Sequence, residues 1–381
     1  MSSLSLFTDI SVEAPSTEGV KYAGSKLKLI PQILSLVGKT SAKTILDGFS
    51  GTTRVSQAFA KSGYEVVAND AAVWSEVFGT CYLLNRQERR HYQTLIDHLN
   101  GVPPNDGWFT QHYGGIETDD DVSASVPHDG LKKPWQRHNT RKLDAIREEI
   151  DRLELSPLER AVALTSLMLA MDRVDSTLGH FASYLREWSP RSYGKVILEV
   201  PRLFANEREH RVIRGDVLDA ANEPVDLAYY DPPYGSNNEK MPPSRVRYAA
   251  YYHLWTTITL NDRPRLFGKT HRREDASDKA SPSVFEDFRR NPANGRFIAV
   301  EAVERLIRST RARWVVLSYS SRGRATAREL NDALLSNGKI VEVVEIDHKR
   351  HVMAGMTWTN EWVSECESPN REFLFLLERN G

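Results

Sequence analysis

Residues 41–70, SAKTILDGFSGTTRVSQAFAKSGYEVVAND, constrain the fold more than any other stretch. Thr44 to Leu46 reads as a buried strand that ends on Asp47. The loop Gly48-Phe49-Ser50-Gly51-Thr52 follows, then a helix with Val55, Ala58 and Phe59 on one side, closed by Gly63. Glu65 to Ala68 forms a second strand and delivers Asp70 at its end. A strand, a helix and a parallel strand carrying an acid about 20 residues past a glycine loop suit a ribose-containing ligand. A dinucleotide is a poor fit, because G-x-G-x-x-G is absent. Strands alternate with helices again at the other end of the chain, through Arg313–Tyr319, Ala325–Leu335, Lys339–Ile346 and Phe373–Leu377, with a further helix expected over Asn294–Ser309. The expected fold is therefore α/β, a Rossmann-like mixed sheet with helices on both faces.

Two further strand ends carry acids. One is Asp216, after the short run RVIRG; the other is Asp231, in VDLAYYDPPYGSNN from Val225 to Asn238. Ligand chemistry in open α/β sheets collects beyond the carboxyl ends of strands. Pro232 and Pro233 fix φ and donate no hydrogen bond, so the turn after Asp231 is stiff and its carbonyls keep fixed directions. Such a turn suits an exocyclic amino group on a planar ring. The Asp231 carboxylate and the Pro232 carbonyl accept its two hydrogens, and Tyr234 offers a flat face for stacking. A plain strand-to-loop turn is the competing reading of four letters alone.

Upstream, Tyr22 to Lys26 is a glycine-containing turn leading into a helix with Leu27, Ile30, Ile33, Leu34 and Leu36 on its apolar face. Its amides and Lys26 suit a ligand carboxylate, or else simply start the helix. Between Ala71 and Leu203 the alternating pattern is lost. Residues 105–140 form an irregular excursion; Asp119, Asp120 and Asp121 read as solvated charge before they read as a cation site. Amphipathic helices are expected over Thr140–Leu153 and from Ser156-Pro157-Leu158-Glu159 onward, the latter with an N-cap, a proline at N1 and a glutamate at N3. Thr177, His180, Ser183 and Tyr184 follow without clear period; His180 is as consistent with a core histidine as with a substrate contact. The expected organisation is a catalytic domain of residues 19–75 and 204–381, with an inserted, mainly helical recognition lobe of residues 76–203.

Composition narrows the classes. The 381 residues are 40% hydrophobic and 27% charged, ordinary values for a globular protein with a full core. No run approaches the roughly eighteen apolar residues of a membrane span, and the start lacks the features of a signal peptide. A cytoplasmic location is expected. Cys81 and Cys366 are too few for a disulfide framework or a cysteine zinc site. The net charge of −1 hides local clusters: Arg263, Arg265, Lys269, Arg272 and Arg273 as candidate nucleic-acid contacts, then Arg308, Arg311, Arg313, Arg322 and Arg324. Just before the first cluster, Tyr248, Tyr251, Tyr252 and Trp255 stand on an expected helix, as a path for splayed bases or as core.

Taken together, Lys21-Tyr22-Ala23-Gly24-Ser25-Lys26, Asp47-Gly48-Phe49-Ser50-Gly51 and Asp231-Pro232-Pro233-Tyr234, in that order, resemble the motifs of adenine-N6 DNA methyltransferases of the class that includes Dam and the FokI-type modification enzymes. Tyr251-Tyr252-His253-Leu254, Gly268-Lys269-Thr270, Ser318-Tyr319 and Asn370-Arg371-Glu372-Phe373-Leu374-Phe375 resemble the FokI-type branch, and the likeness covers residues 20–378 apart from 105–140. The resemblance implies S-adenosylmethionine as cofactor and duplex DNA as substrate. It implies Tyr22 and Lys26 at the methionine end, Asp47, Phe49 and Gly51 in the cofactor loop, Asp70 at the ribose and Asp216 at the cofactor's adenine. Asp231, Pro232, Pro233 and Tyr234 become the catalytic motif, with Asp231 between cofactor and target amine. A flipped-out adenine would be methylated at N6; no metal is implied, and a separately encoded restriction endonuclease is a compatible partner. Thr53 stands where the second glycine of F-x-G-x-G is usual, and its β-carbon is expected to crowd the loop. Cytosine-N4 methylation is the nearest rival, disfavoured by Asp in place of Ser ahead of the prolines. An adenine-N6 RNA methyltransferase or an inactive DNA-binding relative would carry much the same lettering.

Overall fold

The computed structural model describes residues 13–114, 130–234, 247–277, 283–287, 289–321, 323–348 and 370–380. Asp119–Asp121, Gly235–Asn238, Arg322 and Val352–Trp362 lie outside the described residues. After a 3-10 turn over Lys26–Leu29, the chain forms α1 (Ile30–Gly38), β1 (Thr44–Asp47), α2 (Arg54–Lys61), β2 (Glu65–Asp70) and α3 (Val73–Leu83). It continues through α4 (Gln93–Gly101), α5 (Arg137–Arg152) and α6 (Pro157–Arg173), then returns in β3 (Arg211–Arg214), α7 (Val217–Ala220) and β4 (Leu227–Tyr230). The last third supplies α8 (Tyr248–Tyr251), α9 (His253–Leu260), the short β5 (Leu266–Phe267) and β6 (Arg272–Arg273), α10 (Ile298–Ser309), β7 (Trp314–Ser320), α11 (Ala327–Leu335), β8 (Gly338–His348) and β9 (Asn370–Arg379).

Seven strands make one sheet in the order β3-β2-β1-β4-β7-β9-β8. The first five are mutually parallel, and β9 runs antiparallel to both β7 and β8. From β1 the chain first builds outward through β2 and β3 and then returns to the opposite side of β1 with β4. The sheet therefore has its switch point between the carboxyl ends of β1 and β4, where a crevice opens.

Alternation along the strands fills both faces. Ile45, Val66, Ala68, Leu227, Tyr229 and Val316 pack under α1 and α2, while Leu46, Val67, Ala228, Tyr230, Val315 and Leu317 pack under α7, α10 and α11. Burial on both faces is what makes these strands continuous apolar runs. A separate core joins α3 to α6 with α9, and includes Trp74, Tyr251, Tyr252, Leu254, Trp255 and Ile258. This core reaches past the expected lobe limits of 76 and 203, because Trp74 and residues of α8 and α9 belong to it.

Some helix limits differ from expectation. Residues Asn294–Phe297 stay outside α10: Gly295 holds φ of +72°, and the Asn291 and Asn294 side chains donate to Glu301 to form a turn. The expected single aromatic helix breaks at Tyr252 into α8 and α9, and the basic run beyond it folds into the β5–β6 pair. The capping box at Ser156 and Glu159 forms as its letters predict.

Candidate active site

The switch point holds a small open cavity lined by Tyr22, Lys26, Asp47, Phe49, Gly51, Asp231 and their neighbours. These six expected site residues come from three separate stretches. Each stretch arrives by a different device. The 22–26 turn is closed by the Ser25 amide on the Tyr22 carbonyl (3.1 Å), with Gly24 at φ +84°. A β-carbon at Gly24 would come within 2.9 Å of the Tyr248 hydroxyl, so glycine is needed there twice over. Tyr22 stacks on Tyr252 at 4.5 Å and on Tyr248 at 5.4 Å, and the Ala23 amide donates to the Tyr252 hydroxyl at 2.6 Å. Tyr248 and Tyr252 therefore brace the turn. Tyr252 and Trp255 are 1% exposed and are core, not a path for bases.

The loop after β1 is set by close approach. Gly48 extends the β1–β4 ladder through its amide to the Tyr229 carbonyl (3.0 Å), and a β-carbon there would lie 2.6 Å from the Tyr230 ring. Gly51, at φ +48°, gives its amide to Asp70 at 2.8 Å, and the other Asp70 oxygen takes the Ala72 amide at 2.9 Å. Burial raises the Asp70 pKa against the pull of these amides. Thr53 takes the left-handed backbone a glycine would take, at φ 59°. Its side chain is fully buried, accepts from Gln57 Nε2 at 3.1 Å and does not line the cavity. The expected crowding of the loop is absent because the β-carbon turns toward α2.

Asp47 is 1% exposed at the end of β1. Its Oδ2 accepts the Ser56 hydroxyl at 2.5 Å, while its buried Oδ1 has no hydrogen-bond partner among the described residues. Burial pushes its pKa up to about 7 against the Ser56 hydrogen bond, with Asp231 and Asp70 adding to the rise. An orphaned carboxylate oxygen in a polar cavity wall suits a cationic donor. The cradle fits a nucleoside-linked amino acid: it has a glycine loop, an acid at the end of β2, aromatic walls and a carboxylate awaiting an ammonium.

Asp231 follows β4 and faces a cluster that ties the two ends of the chain together. Lys26 Nζ lies 3.1 Å from Asp231 Oδ1 and 2.7 Å from Glu372 Oε1, and also donates to the Tyr234 hydroxyl. Three partners use the three ammonium hydrogens. Lys26 therefore pairs with two carboxylates while it also lines the cavity, as expected for it. The Tyr234 hydroxyl is shared between Asp231 and Glu372, the latter at 2.7 Å, and Ser318 Oγ donates to Glu372 at 2.8 Å. Burial raises the Asp231 pKa, Lys26 opposes it and Glu372 reinforces it. For Glu372, burial is overcome by Lys26, and the pKa falls. Burial works against the charge of Lys26, yet its two carboxylates raise its pKa.

Pro232 is buried and Pro233 half-buried behind Asp231. The Tyr234 ring meets Tyr319 at 4.9 Å, and its carbonyl accepts the Arg324 amide at 2.8 Å. Asp216 stands exposed beyond the end of β3, outside the cavity lining, and caps α7 through the Leu218 amide at 2.9 Å. His180 is buried, stacks on Tyr251 at 4.3 Å and is pushed by burial down to about 4, as a core histidine would be.

The first basic run divides. Arg263, Arg265 and Lys269 are exposed, and the half-buried Arg272 lies over the Phe267 ring at 4.7 Å. Arg273 is 3% exposed and held by Asp262 at 2.6 and 2.7 Å and by Asp275 at 2.7 and 2.9 Å. Its expected phosphate contact is corrected: the guanidinium is already paired inside the fold. In the second run, Arg308 pairs with Glu304 and Arg313 with Glu378. Arg324 is buried over Phe297. Glu372 is a site residue that the sequence reading misses, although a lone acid opening the apolar run Phe373–Leu377 is a visible signal.

A family model described as D12 class N6 adenine-specific DNA methyltransferase matches residues 22–287, which include all three cavity stretches. The chain belongs to that class. Among relatives of this D12-class chain, the modification methylase StsI of Streptococcus sanguinis is 25% identical over 94% of the chain and 52% of its own length. The type II methyltransferase M.NlaIII of Neisseria lactamica is 26% identical over 87% of the chain and 92% of its own length. M.FokI of Planomicrobium okeanokoites is 24% identical over 84% of the chain and 47% of its own length. The D12-class chain thus spans about half of StsI and M.FokI and nearly all of M.NlaIII. No helix among the described residues is long and apolar enough to cross a membrane.

Proposed function

We propose that this chain is a site-specific DNA methyltransferase that moves the methyl group of S-adenosylmethionine to N6 of an adenine flipped out of duplex DNA. The observation that carries the reading is the meeting of the 22–26 turn, the Asp47–Gly51 loop and the Asp231 stretch in one cavity at the switch point. When bound, S-adenosylmethionine supplies an electrophilic methyl on a sulfonium. Asp47 Oδ1 receives the ammonium of its amino acid end, Asp70 the ribose hydroxyls and Asp216 the adenine edge; Tyr22 and Phe49 wall the cavity. Asp231 and the Pro232 carbonyl accept the two amine hydrogens of the target base, which turns its lone pair toward the methyl. Tyr234 carries the flipped base on its ring, with the hydroxyl anchored behind it.

The exposed Arg263, Arg265 and Lys269, with the half-buried Arg272, are assigned to DNA phosphates. The name modification methylase, borne by StsI, supports a restriction endonuclease as partner; separate encoding of that enzyme and a cytoplasmic place of work belong to the same proposal. Asp231, with the class of the family, favours adenine N6 over cytosine N4. The test is a mass-spectrometric nucleoside digest of DNA from cells that lack their own adenine methylases and express this chain. N6-methyladenine is expected with the wild type and none with Asp231→Ala, whose DNA binding stays near wild type. N4-methylcytosine, or methylation retained in Asp231→Ala, would refute the assignment.

A further inference from the structure

The buried cluster around Asp231 contains more acid than cation. Asp231 and Glu372 share one ammonium, Lys26, and one phenolic hydrogen, that of Tyr234. A hydroxyl has a single hydrogen to give, so Tyr234 satisfies only one of the two carboxylates at any moment. Glu372 is the better provided. It takes the shorter ion pair, 2.7 Å against 3.1 Å, and also holds the Ser318 hydroxyl at 2.8 Å. Its side chain is 6% exposed against 18% for Asp231, so it sits behind the reacting edge and forms no part of the cavity lining.

We propose that Glu372 is a positioning residue of the methyl-transfer site: by binding Lys26 and sharing the Tyr234 hydroxyl it fixes the poses of Asp231 and Tyr234, and it keeps Asp231 able to take up the proton that the methylated amine gives off. The inference rests on the reading of the cavity as a methyl-transfer site. Once the nitrogen–carbon bond has formed and the methyl–sulfur bond has broken, with its electron pair left on sulfur, N6 carries a positive charge. One N6–H bond then breaks, its electron pair returns to nitrogen, and the proton moves onto an Asp231 carboxylate oxygen and later to water. A carboxylate fully neutralised by its own lysine would be a poor acceptor. Glu372 draws Lys26 away and adds a like charge nearby, and both effects raise the proton affinity of Asp231.

Other titratable groups also face Asp231. Asp47 lies at the end of β1, Tyr229 and Tyr234 belong to its own stretch, and Tyr22 and Tyr248 approach from the N-terminal turn and α8. Burial raises the pKa of all four tyrosines and so keeps them neutral. Asp47 adds a further acidic neighbour that substitution of Glu372 or Lys26 leaves in place.

The experiment is a titration of the free protein labelled with carbon-13 at the aspartate carboxyl, with the Asp231 resonance assigned by its loss in Asp231→Asn. Glu372→Gln, which keeps shape and removes charge, is expected to lower the Asp231 midpoint by about one pH unit. Lys26→Met is expected to raise it. In turnover, the acid limb of kcat follows the same opposite directions, while KM for DNA changes less than about threefold. Glu372→Asp keeps the charge but not the reach. It should lower kcat roughly tenfold or more and lower the midpoint by less than Glu372→Gln does. An Asp231 midpoint unmoved by Glu372→Gln, or moved the same way by Glu372→Gln and Lys26→Met, would overturn the proposal. The titration uses no cofactor or DNA, so it judges the coupling whether or not the wild-type chain methylates DNA.

Discussion

Asp47→Asn should make the protein more stable at alkaline pH while weakening its hold on the cofactor. The wild-type carboxyl is raised from 3.8 to about 7, chiefly by burial. Below the ordinary carboxylate pKa it is protonated in both folded and unfolded chains, and ionisation costs nothing. As pH rises from about 4 toward 7 the unfolded chain gives up its proton first, so folding loses stability; above about 7 the loss is complete. Taken at face value the penalty is about 4 kcal/mol. Relaxation of the surrounding dipoles lowers the cost of ionising a buried group, and about 1–2 kcal/mol is expected. The asparagine side chain keeps an acceptor for the Ser56 hydroxyl and carries no charge.

Calorimetric melting without cofactor, at about pH 8 and about pH 5, reads the effect directly. The variant should melt roughly 2–4 °C higher at the alkaline value, with the difference shrinking at the acidic one. Titration calorimetry should show S-adenosylmethionine binding weakened roughly 10- to 100-fold, the worth of a charged hydrogen bond. A variant that melts lower at alkaline pH, or whose gain is the same at both pH values, refutes the reasoning that Asp47 is a strained carboxylate held for a ligand.

The two kinds of arginine and lysine in the β5–β6 segment separate by assay. Arg273→Ala should cost roughly 1 kcal/mol of stability, read by chemical denaturation, because it removes a buried side chain and its ion pairs with the more exposed Asp262 and Asp275. Lys269→Ala should leave stability unchanged, weaken DNA binding for all sequences alike and reduce the slope of log affinity against log salt by about one. For Thr53→Gly, relief of the left-handed backbone, about 1 kcal/mol, should offset the lost Gln57 hydrogen bond. Cofactor affinity by calorimetry should stay within about twofold, and a gain above about fivefold would mean that the threonine side chain reaches the ligand after all.

The first βαβ unit is legible because its signals are local: an apolar run, a glycine loop and an acid within about thirty positions of one another. Asp231 is legible for the same reason. Glu372 is not, since its meeting with Lys26 depends on β9 inserting between β7 and β8, an order no spacing in the chain encodes. Arg272 and Arg273 show a second limit. Neighbours on a strand point to opposite faces, but two-residue strands have no pattern to reveal them, and so one buried arginine is grouped with exposed ones. Thr53 stands out as a departure from the loop's usual lettering; that its β-carbon turns toward Gln57 depends on the packing of α2.

The Lys26–Glu372 pair joins residues 346 positions apart. A ribosome adding residues one by one finishes all three recognisable motifs by Tyr234, yet the buried cluster around Asp231 then still lacks its last carboxylate. Until β9 is made, β7 and β8 share no partner strand and Lys26 has only Asp231 to neutralise. The nascent chain thus carries the lettering of a methylase without its working charge balance, and it gains that balance in one late docking event. Chains stalled on the ribosome just short of β9 should fail to methylate DNA, while chains that include β9 should methylate it. Activity in the stalled chain would show that the cluster matures earlier than this topology allows.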